Sequence, residues 1–342
     1  MSDPSVTVIV PMRNEARFIE DTLRALLDQV DLPEHYEVFA VDGMSDDGTR
    51  DVLAKLAAED SRLRVLDNPQ RIVPTALNIG IAEAKGEIII RVDGHTTVAP
   101  NFVRANLELF AEHPEAWSVG GPIAHRGTSR VSRAIAAAMS SPIGVGGASH
   151  RFESYEGYAE GTAFPAFRRW VFDKIGLFDE QLVRNQDDEL NFRITSAGGP
   201  IFISPRVKHD YFVRGSYKAL FNQYMQYAYW KVEVMRKHGR VVAPRHLVPG
   251  VFVVALPICA GTALLPPPLG VVGAAPLAAY AGLLSWLSVA TTMREHDVRV
   301  GFGAGLAAAT MHIGYGLGTL AGVLSRPNRG SRIEKLMSRL TR

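Results

Sequence analysis

The sequence is poor in cysteine: Cys259 is the only one in 342 residues. A single cysteine excludes an intramolecular disulfide framework and a zinc site built from several cysteines. The formal net charge is +2 at pH 7, so charge alone gives no reason to expect a nucleic-acid partner. No G-x-G-x-x-G follows the first predicted strand and no G-x-x-x-x-G-K-[ST] occurs, which excludes the usual dinucleotide and Walker phosphate loops.

Charged side chains are missing from two long stretches towards the carboxyl end. Asp, Glu, Lys, Arg and His are absent from 247–293, and 300–325 contains only His312. Because a membrane-spanning helix needs about 20 apolar residues, this predicts three hydrophobic segments: Leu247–Leu265, Leu269–Ala290 and Gly301–Leu324. The alternative, a buried helical core, is disfavoured because soluble core helices rarely lack charge for so long. The first residues do not resemble a signal peptide, so the amino-terminal half is expected to stay in the cytosol.

The first 215 residues alternate short apolar strands with helices. Predicted strands cover 6–10, 36–41, 63–66, 87–92 and 201–204. This alternation predicts an α/β fold with a mainly parallel sheet and right-handed crossovers. Ligands of such sheets bind beyond the carboxyl ends of the strands, which is where Pro11, Asp42 and Asp93 fall.

Three acidic groups lie where ligand binding or catalysis is expected. Asp42 ends a strand and could accept hydrogen bonds from a base or ribose, although an ordinary Asp-Gly turn would look the same. Asp93 and His95 flank a glycine on the next turn and could bind a divalent cation on a diphosphate. Asp187 begins Asp-Asp-Glu at a helix start, where helix capping explains one acid more easily than three.

Six segments in this order resemble glycosyltransferase family 2, the inverting enzymes with a GT-A fold. The matching segments are Val8–Glu15, Val41–Thr49, Ala76–Gly80, Val92–His95, Gly161 with Phe167–Arg169 and Gly176–Glu180, and Gln186–Leu190 with Arg193. The resemblance is strongest to membrane-attached enzymes of succinoglycan-type exopolysaccharide synthesis, which share an Asp-Gly-His motif and a hydrophobic carboxy-terminal region.

The resemblance implies roles for individual residues. Asp187 would be the catalytic base that deprotonates the acceptor hydroxyl. The nucleotide sugar would be bound by Pro11, Asn14, Glu15, Asp42, Asn78, Asp93 and Arg214. The acceptor would contact Gly161, Asp188 and Glu189, and the metal ligands would be Asp93, His95 and His209. Mn²⁺, or Mg²⁺, would be the cofactor.

The sequence departs from the family pattern in three places. Gln186 replaces the usual Glu before the base. His95 replaces the second Asp of the metal motif, and because imidazole suits transition metals better than magnesium, we predict a preference for manganese. The Gln-x-x-Arg-Trp motif of processive synthases is not matched, although Gln223 and Gln226 lie near its place. Addition of one sugar is therefore favoured over processive polymerisation.

The chain is expected to divide into four parts. These are a GT-A domain (1–215), an amphipathic interfacial helix (216–245), a membrane region with about three hydrophobic segments (246–325) and a basic tail (326–342). The positive-inside rule places the basic tail in the cytosol, whereas three crossings from a cytosolic domain would place it outside. One segment is therefore expected to be re-entrant or in-plane, or else the tail violates the rule. The proline-broken first segment is the leading candidate.

The sequence therefore predicts a multi-pass protein of the cytoplasmic membrane whose catalytic domain faces the cytoplasm. Its expected activity is transfer of one sugar from a nucleotide-diphosphate sugar, UDP-hexose by resemblance, to a polyprenyl-diphosphate-linked saccharide. Three alternatives stay open: a polyprenyl-phosphate glycosyltransferase, a non-catalytic membrane scaffold, and a hydrolase with paired carboxylates.

Overall fold

A computed structural model describes residues 4–182, 184–240 and 244–325. The predicted basic tail, 326–342, lies outside the described residues. The strands are β1 Val6–Met12, β2 Tyr36–Asp42, β3 Leu63–Asp67, β4 Ile88–Arg91, β5 Thr97–Val98, β6 Ser118–Gly121, β7 Ala124–Arg126, β8 Gly157–Tyr158, β9 Ala163–Arg168, β10 Ile201–Ile203 and β11 His209–Phe212. The helices are α1 Ile19–Leu27, α2 Thr49–Glu59, α3 Val73–Glu83, α4 Phe102–Glu112, α5 Arg130–Met139, α6 Pro142–Val145, α7 Trp170–Ile175, α8 Gln186–Ser196, α9 Tyr217–His238, α10 Val248–Ala263, α11 Leu269–Glu295 and α12 Val298–Leu324.

Eight strands form one sheet in the order β3-β2-β1-β4-β9-β6-β10-β8. The pairs β2–β3, β1–β2, β1–β4 and β6–β10 are parallel, as the strand–helix alternation predicts. In the β1–β2 register Pro11 lies opposite Val41 and Met12 opposite Asp42. The carboxyl ends of β1, β2 and β4 therefore share one edge of the sheet, and the predicted donor-site loops all begin there.

The core lies on both faces of this sheet. Val8, Val10 and Val38 face α1 and α4 on one side, while Ile9 and Phe39 face α3 and α8 on the other. These β-branched and aromatic side chains are fully buried. Strands buried on both faces read as continuous apolar runs, which explains why β1, β2 and β4 can be located from sequence.

Three strands of this sheet, β6, β8 and β9, are absent from the sequence prediction. The stretch containing Gly120 and Gly121 reads as a loop, yet β6 ends there inside the sheet. A Cβ at Gly120 would lie 2.4 Å from Thr162 Oγ1, and one at Gly121 would lie 2.0 Å from the Val207 carbonyl oxygen. The glycines are required for close packing, not for a turn. The antiparallel strand β9, between β4 and β6, is also absent from the sequence prediction.

The described chain divides into two compact units. Unit 1 contains the chain up to Ala124 together with Ser149–Tyr211, and unit 2 contains His125–Ala148 and the chain from Phe212 onward. This grouping puts α5 and α6, from the first half of the chain, with the carboxy-terminal helices, whereas the sequence prediction assigns all of 1–215 to one domain.

The three predicted hydrophobic segments are all helical. Two of them, α11 and α12, are long and apolar enough to cross a membrane by length and composition. The third, α10, has 16 residues, or about 24 Å of helix, and is shorter than a hydrocarbon core of about 30 Å.

Candidate active site

Hydrogen bonds tie the turn after β1 to the loop after β2. The backbone N–H of Asn14 donates to Ser45 Oγ at 2.8 Å, and the backbone N–H of Asp46 donates to Asn14 Oδ1 at 3.0 Å. The backbone N–H of Glu15 donates to Thr49 Oγ1 at 2.9 Å. Asn14 has a φ of +59°, a left-handed conformation that Asn tolerates better than most residues. The two predicted donor-site motifs therefore form one continuous wall.

Asp42 is fully buried at the base of this wall. Its carboxylate accepts hydrogen bonds from the Ser45 backbone N–H at 3.0 Å and the Ser45 hydroxyl at 2.5 Å. Arg50 Nη1 donates to the same carboxylate at 2.9 Å. These three donors fix the orientation of the Asp42 carboxylate, and the Arg50 side chain is partly exposed.

The Asp93-Gly94-His95 loop meets the same wall from the other side. A Cβ at Gly94 would lie 3.0 Å from the Met12 Cβ, so the loop crosses the end of β1 closely. His95 Nδ1 lies 3.3 Å from Glu15 Oε1, which joins the predicted metal motif to the predicted nucleotide turn. Since β1 separates β2 from β4, the loops after those strands lie about 10 Å apart at ordinary strand spacing.

Arg91, the last residue of β4, links Asp93, the predicted metal and donor ligand, to Asp187, the predicted catalytic base. Its Nη2 lies 2.9 Å from Asp93 Oδ1, and its Nη1 lies 3.5 Å from Asp187 Oδ2. The Arg91 side chain is only 12% exposed. Burial acts to lower the pKa of this guanidinium, but the two carboxylates outweigh burial and raise it. A permanent cation therefore holds Asp93 and Asp187 at one place, and no sequence motif indicated this residue.

Asp187 is in the first turn of α8, where a helix dipole favours negative charge. Its side chain is 46% exposed, so the carboxylate reaches solvent while Arg91 orients it. The backbone N–H of Asp188 donates to Asp187 Oδ1 at 2.9 Å and fixes the same group from the helix side. Asp187 is thus accessible and oriented, as a general base must be.

Glu189, predicted to contact the acceptor, is completely buried. Its Oε1 accepts from Arg193 Nε at 3.1 Å, and its Oε2 accepts from Arg193 Nε and Nη2 at 3.0 and 2.9 Å. Arg193 also donates to the carbonyl oxygens of Ile175 and Leu177. The pair therefore holds the chain after α7 against α8.

Asn78, predicted to bind the nucleotide sugar, is turned towards that same segment. Its Nδ2 donates to the Phe178 carbonyl oxygen and to Glu180 Oε1, both at 2.9 Å. Its Oδ1 accepts from the Phe178 backbone N–H at 3.0 Å. Gly161, predicted to lie on the acceptor side, packs against α8: a Cβ there would lie 2.7 Å from Asn191 Nδ2.

His209, the first residue of β11, is buried close to Asp93. It is 3% exposed, its ring packs edge-on to Phe164 at 4.6 Å, and neither ring nitrogen has a hydrogen-bond partner. Burial lowers its pKa to about 4, while Asp210 and Asp93 act in the opposite direction. The imidazole is therefore neutral at pH 7 and has an available lone pair.

A metal ion fits this site only with help from a substrate. Among the described residues no three His, Cys, Asp or Glu side chains form a cluster that could hold an ion by themselves. The neutral imidazole of His209, which has no hydrogen-bond partner, lies near the carboxylate of Asp93. Together these two groups are ligands that a transition metal accepts. Ions bound with nucleotides commonly take one or two protein ligands and complete their shell with phosphate oxygens and water.

Arg214, the remaining predicted phosphate ligand, is exposed and belongs to unit 2. All the other predicted site residues belong to unit 1.

Comparisons with known proteins identify the family of this chain. The sequence profile described as "Glycosyl transferase family 2" matches residues 7–175. The succinoglycan biosynthesis protein ExoA of Rhizobium meliloti is 32% identical over 251 residues, covering 73% of this chain and 76% of that protein. The chain belongs to glycosyl transferase family 2. It is a glycosyltransferase, and the predicted membership is confirmed.

Two further proteins match this chain over a similar or larger share of its length. A Methanococcus voltae enzyme, the dolichyl N-acetyl-alpha-D-glucosaminyl phosphate 3-beta-D-2,3-diacetamido-2,3-dideoxy-beta-D-glucuronosyltransferase, is 27% identical over 240 residues, or 68% of this chain and 74% of that protein. The mannosyltransferase PcManGT of Pyrobaculum calidifontis, solved in complex with GDP-Man and Mn²⁺, superposes with a TM-score of 0.61 at 22% identity. That match covers 92% of this chain and 89% of the mannosyltransferase and confirms the GT-A fold.

Proposed function

We propose that this chain transfers one sugar, with inversion, from a nucleotide-diphosphate sugar to a lipid-linked saccharide during polysaccharide synthesis. The observation that carries the proposal is the Arg91 bridge, which joins Asp93 and the accessible Asp187 at the sheet edge where buried Asp42 ends β2. The match to a succinoglycan biosynthesis protein supports polysaccharide synthesis as the setting.

The donor nucleotide is assigned to the wall formed by the turn after β1 and the loop after β2. Asp42, with Ser45 and Arg50 around it, offers hydrogen-bonding groups to a base and ribose. The diphosphate then extends towards Asp93, across a gap of about 10 Å that suits a nucleoside diphosphate. UDP-hexose is the donor we propose.

Asp93 and His209 would hold a divalent ion on the donor, and His95, beside Glu15, lies on the same loop. Such an ion, when bound, stabilises the charge that develops on the departing diphosphate. The presence of Mn²⁺ in the solved mannosyltransferase supports a divalent ion, and the two imidazoles support manganese over magnesium.

Asp187 acts as the general base in this proposal. Its exposed carboxylate accepts the proton of the acceptor hydroxyl, the hydroxyl oxygen attacks the anomeric carbon, and the bond to the diphosphate oxygen breaks on the opposite face. One direct displacement inverts the anomeric configuration and needs no nucleophile from the protein. Arg91 positions Asp187 and neutralises charge between the two carboxylates.

The acceptor is assigned to the side of Asp187 formed by α8 and the Gly161 segment. Asp188 remains a candidate for acceptor contact. We assign Glu189 and Asn78 to holding the 175–180 segment, because Asn78 bonds to Phe178 directly and Glu189 pairs with Arg193, which donates to Ile175 and Leu177. The apolar helices α11 and α12 support attachment to the cytoplasmic membrane, and a polyprenyl-diphosphate-linked saccharide is the acceptor that such attachment favours.

The test is sugar transfer from labelled nucleotide sugars into the lipid fraction of membranes. We expect the Asp187→Asn variant to lose about 10²- to 10⁴-fold in kcat, the usual contribution of a general base, while its affinity for UDP is retained. Asp173→Asn is the matched control, because Asp173 is an exposed acid in the first turn of α7.

Sugar transfer by Asp187→Asn at the wild-type rate would contradict the assignment of Asp187 as the general base and would favour a non-catalytic role for this residue. The same assay with each ion tests the manganese proposal: wild type should be faster with Mn²⁺ than with Mg²⁺, and His95→Asp should reduce that difference. Equal rates with both ions in both proteins would contradict it.

A further inference from the structure

Strand β9 contains an extra residue where it pairs with β6. Val119 of β6 pairs with Ala166 of β9. Two residues further along β6, Gly121 pairs with Ala163, which is three residues back along β9. This insertion is a β-bulge, and bulges often redirect a side chain beside an active site. Pro165 lies within it, and a bulge is one of the few places inside a sheet where proline is found.

Phe164 lies in this bulge with an unusual backbone conformation. Its φ is +45°, in the left-handed region that bulky side chains rarely adopt. Ala163 and Phe164 also pack into the same core group, whereas neighbours in a regular strand point to opposite faces of the sheet. Backbone strain of this kind persists only where the surrounding structure imposes it, and it is commonest at functional sites. The conformation of Phe164 therefore indicates a position that the fold holds for a reason.

The Phe164 ring packs against the imidazole of His209. The two ring centroids lie 4.6 Å apart and the ring planes meet at 89°, so the contact is edge to face. Phe164 is 7% exposed and His209 is 3% exposed. On another side of the imidazole, a Cβ at Gly121 would lie 3.3 Å from His209 Cε1. The imidazole is therefore confined between an aromatic ring and the backbone of β6.

Packing, and not hydrogen bonding, orients His209. Within the part of the chain that the structure describes, neither ring nitrogen has a hydrogen-bond partner. Histidines that bind metals usually have their second nitrogen fixed by a carboxylate, a carbonyl oxygen or water. The neighbours Val98, which pairs with His209 across β5 and β11, and Val207 are buried and apolar. Contact with the Phe164 ring is therefore available to supply the orientation that a hydrogen bond supplies elsewhere.

We propose that Phe164 is a positioning residue that holds the His209 imidazole ready to bind the divalent ion of the donor. The proposal rests on the metal site proposed above and adds a residue that lies outside the predicted metal motif. A ligand that is already oriented loses less conformational freedom when the ion binds, so the ring should raise the affinity for the ion. Phe164 has no polar side-chain atom and acts only through His209.

The test is the Mn²⁺ affinity of the protein–UDP complex, measured by EPR of free Mn²⁺ and corrected for Mn²⁺ bound to UDP alone. Four proteins are compared: wild type, Phe164→Leu, His209→Gln and the double variant. Leu keeps the site apolar but removes the ring. We expect Phe164→Leu to lower Mn²⁺ affinity about tenfold, the scale of residues that orient metal ligands. In the His209→Gln background the same change should cost less than about twofold, because the two effects are not independent.

Phe167→Leu is the matched control. Phe167 is in the same strand and is 2% exposed, but its ring contacts Phe172 and Phe178. We expect this variant to lose thermal stability and to keep wild-type Mn²⁺ affinity. Calorimetry of UDP binding with a chelator present should give a Kd within threefold of wild type in every variant, because the donor wall is unchanged. Phe164→Met, which also lacks the ring but fills the space more flexibly, is measured in parallel and should match Phe164→Leu.

Wild-type Mn²⁺ affinity in either folded Phe164 variant would overturn the proposal. A tenfold loss from Phe164→Leu in both backgrounds would also overturn it, since the ring would then not act through His209. An equal loss in Phe167→Leu would show that any damage to the core of β9 is sufficient. Unchanged Mn²⁺ affinity in His209→Gln would instead overturn His209 as a metal ligand, and with it the role of Phe164, while leaving Asp187 as the proposed base.

Discussion

Arg91 shows how a single residue can organise a site without belonging to a motif. The sequence Ile-Ile-Ile-Arg marks it only as the polar end of a buried strand. The β1–β4 register places its backbone opposite Ile9, in the centre of the sheet, and its guanidinium reaches Asp93 and Asp187. Because Asp187 follows Arg91 by almost a hundred residues, local sequence patterns could not predict this contact.

Removing the Arg91 charge should damage catalysis more than donor binding. We expect Arg91→Met to lower kcat by roughly 100-fold, the scale of a reacting group misplaced by about 1 Å, with less than a threefold change in the Kd for UDP. Arg91→Lys keeps the cation and should recover part of kcat. Steady-state kinetics and calorimetry measure the two effects. Equal losses in both variants, matched by equal falls in thermal stability, would indicate a purely structural role.

His209 should make stability depend on pH. Its pKa of about 4 in the folded protein lies below the ordinary value of 6.5, because burial disfavours the charged ring. Its contribution is therefore fully present above pH 6.5 and is lost as pH falls from 6.5 to 4, by up to about 3 kcal/mol.

Chemical denaturation with a metal chelator present, at pH 7 and pH 4.5, measures this loss. The His209→Gln variant, which does not titrate, should lose less stability between the two pH values. The same pH dependence in both proteins would show that His209 is not the responsible group.

At the scale of elements, the sequence predicts some strands well and others not at all. Strands β1, β2, β3 and β4 are recognisable as short apolar runs before glycine or proline turns, and the structure confirms them. Strands β6 and β9 escape prediction because long-range packing decides them: Gly120 and Gly121 are in a strand only because Thr162 and Val207 approach closely. The strands that precede the predicted donor-site motifs are therefore confirmed, whereas β9, which follows the predicted acceptor residue Gly161, was not predicted.

The start of α8 depends on the buried pair of Glu189 and Arg193. Glu189→Ala would leave the Arg193 charge without its partner, and we expect a loss of about 3–5 kcal/mol in the free energy of unfolding. Glu83→Ala is the control, because it removes an exposed pair with Arg64 at 3.0 Å and should cost less than about 1 kcal/mol. Denaturant unfolding measures both, and equal small losses would show that the buried pair does not stabilise α8.

At the scale of the whole molecule, composition shows where the hydrophobic helices are but not what packs with them. The charge-free stretches predict α10, α11 and α12 within a few residues. Nothing in the sequence of 125–148 indicates that this segment belongs to the same unit, because its ion pairs join residues more than 160 positions apart. The sequence therefore predicts a hydrophobic region, and only the structure shows that 125–148 belongs to the same unit.

The account as a whole depends on where the donor binds. The most direct test is an experimental structure of the protein with UDP and Mn²⁺. We predict the base and ribose beside Asp42 and the diphosphate with its metal beside Asp93 and His209, within reach of Asp187. A nucleotide bound elsewhere on the protein, away from Asp93, would contradict the account.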